Sequence, residues 1–152
     1  MMPAHDVAKY FVSLVDEEAG DSISNLKLQK LLYYAQGFHL AMYDEALFSE
    51  SIKAWLHGPV VPQVWHLYKD FGFQPIPIEP IVSNDYPLGV RNHLDEVYNV
   101  YGQFSASKLR DMTHDEAPWK NTPQNEVISP ERMKEFFKRL VIFDDVSEPA
   151  AQ

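Results

Sequence analysis

The stretch that most constrains this chain is residues 24–43, SNLKLQKLLYYAQGFHLAMY. It contains no proline and reads as a helix, with Ser24 placed as an N-cap whose side-chain oxygen takes an orphan backbone N–H. At about 100° per residue, Leu28, Leu31, Leu32, Ala35, Phe38 and Met42 fall on one face. The other face carries Leu26, Tyr33, Gly37, Leu40 and Ala41, with Lys30 as its main charge. A helix that is apolar on both sides is buried on both sides. This stretch is therefore expected to be the central helix of a compact domain. Gly37 costs about 1 kcal/mol relative to alanine in a helix interior, so it marks a place for a second helix to cross closely.

The flanking patterns are mostly helical and closely spaced. Residues 3–18 read as an amphipathic helix with Pro3 at its start, a face of Val7, Tyr10, Phe11, Leu14 and Glu18, and an end at Gly20 and Asp21. Residues 46–56 lack a helical period; Phe48 and residues 52–55 suit short extended pieces before the breaker His57-Gly58-Pro59. Pro62 opens a short helix to residue 71, with Val64 or Trp65, Leu67, Tyr68 and Phe71 facing the core and Gly72 closing it. Pro75, Pro77 and Pro80 make residues 73–87 an extended connector suited to a sheet edge. Residues 88–104 form a second amphipathic helix along Val90, Leu94, Val97, Tyr101 and Phe104. Ser105 caps a short helix to residue 113, residues 114–127 read as a loop around Trp119, and Ser129-Pro130 opens the last helix. That helix presents Met133, Phe136, Phe137, Leu140 and Val141, and residues 146–152 read as a loose tail. The expected fold is mainly α: a single-domain bundle of five or six helices around the buried central one. A small extended or β-hairpin element is expected from residues 46–55 and 73–81.

A chain of 152 residues suits one domain with a single core, and 45% apolar residues argue against global disorder. No apolar run approaches the ~20 residues needed to span a bilayer. The start, MMPAHDVAKYF, lacks the basic segment and apolar core of a secretory signal. The absence of cysteine excludes disulfides, Cys-ligated zinc and a thiol nucleophile. A cytoplasmic location fits these features. Asp and Glu number 22 against 13 Lys and Arg, for a net charge of -9, and the basic residues are scattered. Direct nucleic-acid binding is therefore not expected, since it draws on clustered basic side chains. A basic protein partner suits the charge better, because complementary fields speed encounter.

None of the six histidines sits in a compact metal motif, and no glycine-rich phosphate loop or G-x-S-x-G elbow occurs, so no metal or cofactor is expected. His114-Asp115-Glu116 is the most suggestive cluster, a candidate base beside carboxylates. It also reads as a polar turn anchored by Trp119, since acid/base sites usually gather residues from separate elements. The chain is not expected to be an enzyme; a site near His114 is the alternative.

Taken together, the runs LKLQKLLYYAQGFHLA, LF, KAWLHGPVVPQVWHLYKDFG and L-x-x-x-T-H-D-E-x-P-W resemble the Panacea domain, the SocA-like antitoxin domain of phage-associated GepA-like proteins. The resemblance runs from about residue 7 to residue 141 and implies a domain over 4–145. It implies an antitoxin that neutralises a cognate toxin, encoded by the adjacent gene, through direct protein–protein binding. Family members stand beside toxins of several unrelated kinds. One branch delivers its toxin to an ATP-dependent protease, which makes a proteolytic adaptor the alternative function. Many members carry extra DNA-binding segments. This chain shows no second helix-turn-helix block, so autoregulation on DNA is not expected.

Candidate toxin-binding residues are Lys27, Lys30, Tyr33, Tyr34, Trp55, His57 and Val61. Lys27, Gln29 and Lys30 have a second reading, as groups that satisfy loop carbonyls or carboxylates within the fold. Tyr33 and Tyr34 stand either buried with paired hydroxyls or exposed as binding anchors. Trp55, Gly58, Pro59 and Val60 set a turn that docks on the core. Homo-oligomerisation through exposed aromatics stays open.

Overall fold

The computed structural model describes residues 1–147, with side chains as far as Val141. Its first helix, α1 (Ala4–Ser13), starts after Pro3 and buries Val7, Tyr10 and Phe11. It stops short of the residue 18 expected from the sequence. The Asp16 carboxylate accepts the backbone N–H groups of Glu18 and Ala19, which folds Glu17–Ala19 into a tight 3-10 turn. Such local side-chain bonds compete with helix propagation. Gly20, at φ 83, closes the turn with a left-handed conformation that glycine adopts without strain.

The central helix, α2 (Asn25–Tyr43), lies where the sequence places it, and the Ser24 hydroxyl accepts the Lys27 N–H at 3.3 Å. Every residue from Lys27 to Gly37 is buried. The helix leaves the core in its last turn, so Met42 is 54% exposed rather than packed with the leucines. Asp44 ends it in the left-handed region and forms an ion pair with Lys134.

The small extended element is an antiparallel hairpin of β1 (Lys53–Trp55) and β2 (Gly58–Val60). Its second strand is thus part of the stretch read as a breaker. Residues 73–81 contribute no strand; Ile76 docks there instead, buried and with its N–H on the Ile23 carbonyl at 2.8 Å. The outer edge of β1 is covered by residues 125–128, through Ala54 N–H to the Glu126 carbonyl, Asn125 N–H to the Ala54 carbonyl and Ile128 N–H to the Ile52 carbonyl.

After the hairpin, α3 (Pro62–Tyr68) continues as a 3-10 turn to Phe71 and ends at Gly72, φ 57. Val64 is its buried contact, whereas Leu67 and Phe71 are exposed, because so short a helix meets the core along one turn. The helix α4 (Leu88–Tyr101) buries His93, Leu94 and Val97, and α5 (Ala106–His114) is capped by the Ser105 hydroxyl. A single-turn helix, α6 (Ala117–Lys120), lies inside the stretch read as a loop. The last, α7 (Pro130–Ser147), is capped by Ser129 and runs two residues past 145; the rest of the expected tail, 148–152, lies outside the described residues. The fold is mainly α, with seven helices among the described residues and one two-stranded sheet. No described helix is long and apolar enough to cross a membrane.

The helices α1, α3, α4, α5 and α7 all pack on α2. At the α2–α7 crossing a side chain on Gly37 would overlap the Phe137 ring. That ring is fully buried and meets Tyr33, Tyr34 and Phe38 edge-on at 4.8–6.0 Å, so it has nowhere to move. Gly37→Ala is expected to destabilise the protein by about 1–3 kcal/mol, the usual effect of overpacking a core, with partial recovery in the Phe137→Leu background. A higher thermal midpoint in Gly37→Ala, from better helix propensity alone, would contradict the close crossing.

Candidate partner-binding site

Between Asn25 and Gln36 the polar side chains of α2 are buried and bind the segments around it. Lys27 Nζ donates to the Gly102 carbonyl at 2.6 Å, and Lys30 Nζ to the Pro59 carbonyl at 3.0 Å. Gln29 accepts the Val61 N–H at 2.9 Å, and its amide donates to Asn25, which in turn donates to the Trp65 carbonyl. Gln36 accepts the N–H groups of Leu47 and Phe48 and donates to the Phe48 carbonyl. Of the two readings for Lys27, Gln29 and Lys30, the structure shows loop satisfaction.

Tyr33 and Tyr34 are fully buried, and each donates its hydroxyl to one oxygen of Glu116 at 2.9 Å. Of their two readings the structure has the buried one with paired hydroxyls, because α7 and α4 cover them, with Tyr34 stacked on Tyr101 at 3.9 Å and 10°. Burial pushes Glu116 up from 4.5 to about 7, against the opposing pull of the two tyrosine hydrogen bonds. Both tyrosines are raised by burial and by the Glu116 carboxylate. Burial likewise lowers Lys30 from 10.5 to about 7, helped by the Arg110 charge. Neither group has an opposite charge as its hydrogen-bond partner.

Gly58 is what lets the hairpin come this close. Its φ is 108, and a Cβ there would collide with Lys30 Cε and the Thr113 hydroxyl. One further hydrogen bond ties the hairpin to the α5–α6 corner, and a ring stack braces the corner itself. Trp119 donates its indole N–H to the Trp55 carbonyl at 2.8 Å, and the His114 ring stacks on Trp119 at 4.0 Å and 15°. His114 is held below its ordinary value by burial and by the charges of Arg110 and Lys30, and its Nε2 is buried without a hydrogen-bond partner. The cluster singled out in sequence is thus a structural corner: Glu116 points inward to α2, and His114 lies against Trp119. Among the described residues, no three His, Asp or Glu side chains gather as a metal site would need.

Of the seven candidate residues, Lys30, Tyr33, Tyr34 and Val61 have no exposed side chain, and Lys27 is 8% exposed. Trp55 and His57 are at the surface, on the hairpin, where they line an apolar groove of about 480 Å³ with Leu56, Trp65 and Phe73. Sequence reasoning missed Gln36, the inward role of Glu116, and Phe73. A buried-helix pattern carrying two glutamines, two lysines and two tyrosines is itself a signal, because each buried polar group needs a partner elsewhere in the chain. Phe73 left only the weak signal of an aromatic inside a proline-punctuated segment.

The family model for the antitoxin SocA-like Panacea domain matches residues 28–120, from the first buried leucine of α2 to the end of α6. The chain belongs to the Panacea-domain family. Antitoxin SocA of Caulobacter vibrioides (strain NA1000 / CB15N) is 32% identical over 109 residues, 64% of this chain and 58% of that protein. The chain thus matches somewhat more than half the length of this curated relative. No solved structure matches. The matched stretch of the Panacea domain contains Gln29, Lys30, Tyr33, Tyr34, Gln36, the hairpin and Glu116, while α1 and α7 lie outside it.

The two buried titrations have opposite signs. Glu116 is raised on folding, so its contribution is full below pH 4.5 and is lost as pH rises through 7, a span of up to about 3 kcal/mol. Lys30 is lowered, so its contribution is full above 10.5 and is lost as pH falls through 7. Relative to Glu116→Gln, the thermal midpoint of the protein is expected to fall between about pH 5 and 7. Relative to Lys30→Met, it is expected to rise between about pH 7 and 10. Difference curves that are flat with pH would contradict the buried, ion-unpaired placement of these groups.

Proposed function

We propose that this chain is an antitoxin that neutralises a cognate toxin, encoded by the adjacent gene, by holding it in a stable complex and without chemistry of its own. The observation that carries this is membership of the SocA-like Panacea family, together with a relative whose name is antitoxin. The structure supports a binding role in two ways. The reactive side chains of the domain, Lys30, Tyr33, Tyr34 and Glu116, are engaged in holding loops to α2. The surface, by contrast, offers apolar side chains such as Leu56 and Phe73 beside a groove. Charge supports a basic partner: the net charge is -9. Complementary charge speeds encounter, but exposed pairs add only about 0–1 kcal/mol each. The affinity needed for neutralisation comes from desolvated anchors.

Co-expression with the adjacent gene product tests the proposal. Restored growth and a stoichiometric, inactive complex on purification are expected. Rescue with no complex and a shortened toxin half-life would replace sequestration by delivery to a protease, and failure to rescue would remove the antitoxin reading.

A further inference from the structure

Phe73 is 91% exposed, the most exposed aromatic side chain of the described structure. The backbone on either side of it is hydrogen-bonded. Gly72 turns the chain sharply before it, Gln74 N–H bonds the Phe71 carbonyl at 2.9 Å, and Ile76 is pinned to Ile23 just beyond. The ring stands between two grooves and lines both. On one side is the apolar groove of about 480 Å³, walled by Trp55, Leu56 and Trp65, with Leu56 61% exposed. On the other is a polar groove of about 390 Å³ lined by Asp21, Ser24 and Gly102. An apolar side chain left in water between two concave surfaces is the layout of a contact site, since contiguous exposed apolar surface on a folded domain marks interaction.

The charges decide what can occupy it. Asp21 lines the polar groove, and Asp16, Glu17 and Glu18 stand exposed on the turn that leads into Gly20, also a lining residue. The lysine in that groove, Lys27, is close to Asp21 and donates its Nζ to the Gly102 carbonyl. Lys27 and the exposed Lys108, three residues beyond Ser105, stand against four carboxylates. A second copy of this chain would bring the same carboxylates against themselves, and a nucleic acid or an anionic lipid surface would be repelled. What fits is a protein segment with an aliphatic or aromatic anchor next to an arginine or lysine.

Resting on the antitoxin reading, we infer that the paired grooves meeting at Phe73 are the toxin-docking face: the apolar groove takes the anchor and Asp21 with the neighbouring carboxylates takes the basic side chain. Neither Phe73 nor Asp21 was among the residues suggested by sequence, whereas Trp55 and His57 flank the apolar groove.

The test uses the full chain and the purified product of the adjacent gene. Its affinity is measured for the unaltered protein, Phe73→Ala, Asp21→Lys and, as a control on a distant exposed apolar side chain, Val82→Ala. Phe73→Ala is expected to weaken binding by about tenfold or more, mainly through faster dissociation. Asp21→Lys is expected to weaken it by a similar factor at low salt, mainly through slower association. Val82→Ala is expected to bind as the unaltered protein does, and all variants are expected to keep its thermal midpoint within a few degrees. Unchanged affinity in both Phe73→Ala and Asp21→Lys would overturn the docking face while leaving the antitoxin reading in place. A loss of affinity matched by a collapse of the midpoint would overturn it too, as a folding effect. If the unaltered protein neither binds nor neutralises the gene product, the antitoxin reading itself falls. If the unaltered chain alone sediments as a dimer that Phe73→Ala dissociates, the face is a self-interface and the inference is wrong.

Discussion

The structure depends on a row of hydrogen bonds from buried polar side chains of one helix to backbone and carboxylate groups of the segments around it. Lys27, Gln29, Lys30, Tyr33, Tyr34 and Gln36 project from α2, and each ends on a group outside the helix. Burying such groups unbonded would cost several kcal/mol in total. The converse is that four irregular segments acquire a fixed place: the hairpin, residues 47–48, the α5–α6 corner and the turn at Gly102. At residues 47–48, where Leu47 and Phe48 are themselves buried in the core, the hydrogen bonds act together with apolar packing.

Packing completes what the hydrogen bonds begin. The α7 helix crosses α2 at Gly37, and Phe137 closes an aromatic set with Tyr33, Tyr34 and Phe38 over the same stretch of helix whose hydroxyls bind Glu116. Apart from Lys27, the polar ties fall within the matched Panacea region, and α7 lies outside it. The bonded unit is therefore α2 with its loops, and α7 is the apolar cover. The hairpin that this unit positions is also what brings Trp55, Leu56 and His57 to the surface, which links the buried chemistry to the face offered to a partner.

Much of this was legible in sequence because it is periodic or capped. The α2 boundaries followed from Ser24 and the absence of proline, the α7 start from Ser129-Pro130, and a close helix crossing at Gly37, though not its partner α7, from a glycine inside an apolar helix. The family followed from LQKLLYYAQ and AWLHGPV in order. What failed was non-periodic. The end of α1 is decided by one Asp16 side chain; the small hairpin was expected, but its second strand was not placed at Gly58–Val60, where a glycine must fit against Lys30 and Thr113, 28 and 55 residues away in sequence. The site suffered most. The candidate list mixed residues that hold the fold with residues that face solvent, because a lysine or tyrosine on an apolar helix looks the same in both roles until its partner is known. Phe73 was invisible for the opposite reason: nothing in the pattern of its neighbours says that the ring is left in water.

Amide hydrogen exchange in the isolated protein tests the central claim most directly. The N–H groups of Leu47 and Val61 lie in irregular segments and are bonded to the side chains of Gln36 and Gln29. The account predicts that both exchange as slowly as the amides in the middle of α2, through global unfolding, and that Gln36→Ala releases Leu47 while Gln29→Ala releases Val61. Exchange of both amides at the rate of exposed loops in the unaltered protein would show that α2 does not hold these segments.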